Sequence, residues 1–169
     1  MLSPMYPMMP PLQRPSPLLP FFHVELPITA PGINQSYMPA TDENGKQTII
    51  HTDVAKSFLE KALWHFRDQT NIKLFDARQF QAISEAKERV PLEVSIHLHL
   101  QSLWRKDIDG PDKIIVDALF KHFQFLAQPG TEKAWNDNRV VRLIVEKDVS
   151  ITGASSIEIE VRCALLTGK

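Results

Sequence analysis

The chain has 169 residues, which suits one domain with some decoration, and 19 basic against 20 acidic side chains leave a net charge of -1. No global positive field draws such a chain to DNA or to a membrane surface, so a nucleic-acid partner would have to meet a local basic patch. Cys163 is the only cysteine, which excludes an intramolecular disulfide and a cysteine-rich metal site.

Residues 1–20 hold seven of the thirteen prolines. Fixed φ angles and missing amide donors predict an extended, solvated appendage there. The segment has neither the basic start nor the unbroken apolar run of a signal peptide. No stretch reaches the roughly 18 apolar residues of a membrane span, so the expected location is cytoplasmic, with no membrane partner. The domain is expected over 21–169.

Phe22, Val24, Leu26 and Ile28 alternate with His23, Glu25 and Pro27, the period of a half-buried strand. A turn-rich stretch follows over 29–47, and Thr48–Thr52 reads as a short strand. From Asp53 the period becomes helical, with Phe58, Ala62 and Phe66 beside Ala55, Leu59 and Leu63, and Thr52 or Asp53 as cap. A second helix is expected over 76–89, ending before Pro91. The clearest strand runs over 92–101, with Leu92, Val94, Ile96, Leu98 and Leu100 on one face and Glu93, Ser95, His97, His99 and Gln101 on the other. Residues 112–126 read as a well-covered helix with Pro111 at its start. A loop then leads to a strand over 139–149, and a last alternating strand covers Ile157, Ile159, Val161 and Cys163. Mixed strands and helices, with antiparallel pairing at the end, give an α+β reading: a small mixed sheet with helices packed on it.

Asp107 and Asp109 stand two residues apart, where the alternation of the 92–101 strand gives way to Gly110 and Pro111. Odd-numbered residues form the polar face of that strand. If the chain stays extended, both carboxylates emerge on that face, about 7 Å apart at the backbone. Magnesium and manganese prefer such oxygen ligands. Two carboxylates about 6 Å apart repel by only roughly 0.7 kcal/mol in water, so spacing alone leaves a metal site and a plain acidic loop both open. Asp137, just before another strand, is a candidate third acid at the same sheet end. Lys113, in the first turn of the helix, is placed to meet a phosphate oxygen or steer a water, and Asp117 lies one turn further on. Arg105, Lys106, Arg139 and Arg142 are basic neighbours suited to a phosphate backbone. Asn34 and Tyr37, in the proline-bounded loop, are candidate DNA contacts. His97 and His99 share a strand face without a third ligand at zinc spacing, and read as polar-face or interface residues.

Several motifs in order resemble the RusA family of Holliday junction resolvases. They are "LPITAPGINQSYMP" after the first strand, "DIDGPDK" at a helix start, "IIVDAL" within that helix, and "NDNRVVRLIVEK" leading into a strand. The resemblance covers about Phe22 to Leu165. It implies a magnesium-dependent endonuclease, with manganese able to substitute, that nicks branched DNA such as a four-way junction. Asp107, Asp109 and Asp137 fall at the metal-binding carboxylate positions, and Lys113 at the catalytic lysine position. A homodimer, which the resemblance also implies, suits paired nicks in a two-fold junction. Gly110 replaces the family's asparagine and Asn136 the first acid of its paired aspartates. Two rival readings therefore stand beside it: a non-catalytic branched-DNA-binding or scaffold protein with a degraded metal site, and a D-x-D metal-dependent transferase.

Overall fold

A computed structural model describes residues 18–101 and 110–165 of the chain. Its strands are β1 (Phe22–Leu26), β2 (Tyr37–Thr41), β3 (Gln47–His51), β4 (Ile72–Phe75), β5 (Leu92–Leu100), β6 (Val140–Val149) and β7 (Ser156–Cys163). Its helices are α1 (Ile33–Ser36), α2 (Asp53–Arg67), α3 (Ala77–Glu85) and α4 (Asp112–Leu126). Five strands form one mixed sheet in the order β4-β1-β7-β5-β6, and β2 and β3 form a separate hairpin. The α+β class therefore holds.

Alternation decides which way the sheet faces. Phe22, Val24 and Leu26, the even residues of β5, and Ile157, Ile159 and Val161 are all buried in one core with the apolar stripes of α2 and α4. Their neighbours His23, His97, His99, Glu158 and Glu160 remain partly exposed on the opposite face. Helix α2 begins where Thr52 Oγ1 accepts the amide of Ala55 at 3.2 Å, the side-chain cap expected of a threonine there. Helix α3 is capped in the same way, with Asp76 Oδ1 accepting from the Gln79 amide at 3.1 Å. Helix α4 follows Pro111, whose missing N–H removes no helical bond at this position.

Three features differ from the sequence expectation. The stretch over 29–47 is not merely turns: it contains α1 and most of the β2–β3 hairpin, closed at Gly45 with φ +79°. Strand β4 pairs with β1 ahead of the expected second helix, which is confined to Ala77–Glu85. The last two strands are not neighbours. Strand β7 inserts between β1 and β5, antiparallel to both, while β6 lies parallel to β5 on its other side. A parallel partner needs a crossover rather than a tight turn, and α4 supplies it.

The aromatic side of the core pins the far end of α4. Trp135 is fully buried, stacks on Phe80 at 4.2 Å between centroids and meets Phe123 edge-on at 4.9 Å. Its Nε1–H donates to Ser84 Oγ at 2.8 Å, and Gln124 Nε2 donates to its carbonyl at 2.8 Å. Phe120 and Phe123 are core, whereas Phe125 is exposed with the Arg67 guanidinium over its ring.

His122 is the one histidine among the described residues that is buried in this core; it stacks on Phe66 at 4.9 Å. Burial, with a smaller push from Arg67, lowers its pKa from 6.5 to about 4. Between those values the unfolded chain binds a proton that the fold refuses, so this term is fully present above pH 6.5 and is lost as pH falls toward 4. The loss should reach on the order of 3 kcal/mol. His122→Phe, which keeps the ring stack, should remove that part of the decline when urea unfolding is measured from pH 7 to pH 4.

Candidate functional site

The first two turns of α4 carry a polar cluster centred on one oxygen. Asp117 Oδ2 accepts the Tyr37 hydroxyl at 2.7 Å, with His51 Nε2 at 3.5 Å and Lys113 Nζ at 3.9 Å. The Lys113 ammonium also lies 5.0 Å from the centre of the Tyr37 ring. Asp117 is 21% exposed and Lys113 54%, so the carboxylate is fixed in the wall while the lysine can still swing outward.

The hairpin exists locally to deliver two of these groups. Tyr37 opens β2 and His51 closes β3; they are register partners, with rings 5.2 Å apart. Asp42 Oδ1 collects the amides of Asn44 and Lys46 at the tip, closing the turn around Gly45. At the base the Thr52 amide donates to Ser36 O at 3.0 Å and the Thr52 hydroxyl donates to Gln35 O, which ties the hairpin to α1 and α2. Burial first, then the bond to Asp117, push the Tyr37 phenol well above its ordinary pKa of 10, so it stays a donor.

Of the residues expected from sequence, Lys113 and Tyr37 meet here. The Tyr37 hydroxyl is committed to Asp117 rather than offered to solvent, and Asn34 is exposed on α1 nearby in sequence. Asp107, Asp109, Arg105 and Lys106 lie outside the described residues. Asp137 and Arg139 belong to a short 3-10 turn, Asp137–Arg139, ahead of β6. The parallel pairing of Leu92 with Val140 sets that turn where β5 begins, not where β5 runs out toward Asp107. The Gln124–Trp135 bond likewise ties it near the last turns of α4, roughly 16 Å along the helix from Lys113. Asp137 is exposed and does not join the Asp117 cluster of its own chain. His51 went unnoticed in the sequence: a two-residue Asn44-Gly45 turn would set Thr52 opposite Tyr37, whereas the longer loop that forms pairs Thr41 with Gln47 and so brings His51 there.

The open face of the sheet carries a second network. Glu158 bridges His23 Nε2 at 2.7 Å and His99 Nε2 at 2.9 Å, and Asp148 bridges His97 Nε2 at 3.0 Å and His99 Nδ1 at 2.8 Å. Hydrogen bonds to Glu158 and Asp148 raise the His99 pKa against a burial that lowers it. The same bonds hold Asp148 and Glu158 below the usual carboxylate range. Two groups here can hold a metal ion, His97–His99–Asp148 and His23–Glu158–Glu160. The missing third partner of His97 and His99 is thus Asp148, brought from β6 by strand register rather than by local spacing.

No helix among the described residues is long and apolar enough to cross a membrane. Neither the family models nor the curated proteins searched give a match to this chain. In a Tyr6→Phe background, spectrophotometric titration should show Tyr37 ionising well above pH 10. Asp117→Asn should bring it down only part of the way, because burial is the larger cause. Ionisation near 10 in the parent would show that the phenol is not held in this cluster.

Proposed function

We infer that the chain is a RusA-like, metal-dependent endonuclease that resolves four-way junctions or related branched DNA. The observation that supports this most directly is the setting of Lys113. It stands three residues after Gly110, where the chain leaves the Asp107–Asp109 motif, and a fixed carboxylate lies behind it.

Asp107, Asp109 and Asp137 have the hard oxygen chemistry that magnesium or manganese takes, and Asp137, the one of the three among the described residues, offers an exposed carboxylate. When bound, such an ion supplies charge neutralisation at the phosphate and an activated water. The chain's own residues do the rest. Lys113 presents a cation to a phosphate oxygen. Asp117 keeps the ammonium near the helix start, and Tyr37 and His51 share its Oδ2, so the carboxylate cannot collapse into a tight pair with the lysine. Arg105 and Lys106, beside the D-x-D motif in sequence, and Arg139, beside Asp137, are the cations this reading assigns to the DNA backbone.

The length of helix between Lys113 and the Asp137 turn favours taking Asp137 from the second copy of a homodimer. Two-fold symmetry then supplies two such sites for two opposed strands.

A synthetic four-way junction should be nicked in magnesium and left intact in EDTA, with linear duplex uncut. Lys113→Ala should slow cutting by about 100–1,000-fold while junction binding remains. Asp107→Asn and Asp109→Asn should cost more than the ~10–100-fold typical of outer-shell partners of a metal. Binding without cutting in the parent protein would instead mark a non-catalytic junction binder. Mixing Asp107→Asn with Asp137→Asn protein tests the shared site: mixed dimers should regain cutting, because one of their two sites is then free of both substitutions. Silence from the mixture, with each parent inactive and dimers exchanging, would confine each site to one chain.

A further inference from the structure

We propose that His97, His99 and Asp148, on the open face of the sheet, form a binding site for a zinc-class divalent transition-metal ion. Its ligands are different residues, and of different chemistry, from the aspartates of the proposed nuclease site.

The argument begins with convergence. His97 and His99 are two apart on β5 and therefore share a face; their rings stack in parallel, 4.5 Å apart and 10° from coplanar. Register places Asp148 of β6 beside His99, and its two oxygens divide between the imidazoles, Oδ2 at 3.0 Å from His97 Nε2 and Oδ1 at 2.8 Å from His99 Nδ1. One ligand atom from each residue lies within 4.8 Å of the other two. A tetrahedral ion with bonds of about 2.0–2.1 Å needs donors roughly 3.3 Å apart, so donors as much as 4.8 Å apart must draw together by up to about 1.5 Å, a shift that rotation of these partly exposed side chains supplies.

Outer partners supply the second part of the argument. A ligating imidazole usually donates its other ring N–H to a carboxylate, which fixes the tautomer and ring direction. His99 has its other nitrogen, Nε2, 2.9 Å from Glu158, and His97 has its Nδ1 3.9 Å from Glu146. Each histidine therefore faces Asp148 with one nitrogen; the other nitrogen of His99 is oriented by a hydrogen-bonded carboxylate, whereas that of His97 has Glu146 only at ion-pair distance. The side chains of His97, His99 and Asp148 are 34%, 24% and 50% exposed, so an ion can enter and water can complete its shell.

Imidazole nitrogen with one carboxylate selects zinc, cobalt, nickel or copper over magnesium. The neighbouring group of His23, Glu158 and Glu160 is less suited. Its two carboxylates address different ring nitrogens, at 2.7 Å from Nε2 and 3.8 Å from Nδ1, so they do not converge on one donor.

Cobalt(II) titration of the untagged full chain, followed by visible absorption, tests the proposal. One equivalent per chain should produce ligand-field bands of four- or five-coordinate intensity, which excess zinc should remove and excess magnesium should not. Glu158→Gln should weaken the site by about 10–100-fold, and His97→Asn with His99→Asn should abolish it. Glu160→Gln, in the neighbouring group, should leave it intact. Circular dichroism of each variant guards against misfolding, and the parent titration alone decides should a variant fail to fold. No bands in the parent, or bands retained in the double variant, would overturn the assignment.

Discussion

Helices α2 and α4 cover one face of the five-stranded sheet and leave the other more open, so parity sorts the residues of β1, β5 and β7 into a dry layer and a polar one, in which Glu93 alone is buried, beside Arg142 and Arg162. On the dry side the alternation produces a continuous apolar core; on the polar side the same strands bring His23, Glu158, His99 and Asp148 into lateral contact. Neither layer can be changed alone. A one-residue slip of β5 would bury its histidines and expose Leu92, Val94 and Ile96.

Helix α4 connects this sheet to the candidate nuclease site. Its C-terminal half is held among Phe21, Phe22, Phe80 and Trp135, and its first turns are anchored by buried Ile114, Ile115 and Val116 while Lys113 and Asp117 stand on the helix's more open side. Tyr37 and His51 of the hairpin meet the carboxylate there. Aromatic packing at one end thus provides the rigidity that polar chemistry at the other end requires.

The two proposed chemistries call on different ligands. The D-x-D motif offers aspartate oxygens suited to a hard ion, while the open face of the sheet offers imidazoles suited to a softer one. A magnesium-dependent reaction and a transition-metal site can therefore coexist without competing for the same ligands.

Much of the fold was legible in the residues. The parity of β5 and β7, the stripe of α2 with its Thr52 cap, and the extent of α4 all follow from periodicity and local capping, which depend only on neighbours in sequence. The β2–β3 hairpin carried its own signal in Asn44-Gly45, obscured by the prolines and polar residues around it. Lys113 and Asp117 could be paired by helical spacing. Tertiary structure alone decided that β7 divides β1 from β5, that Asp137 opens its strand at the end opposite the exit of β5, that His51 joins Asp117, and that Asp148 lies between two histidines some fifty residues earlier. Each of these depends on how strands are ordered and aligned, a choice made by burial over the whole sheet. Local spacing carries no record of it.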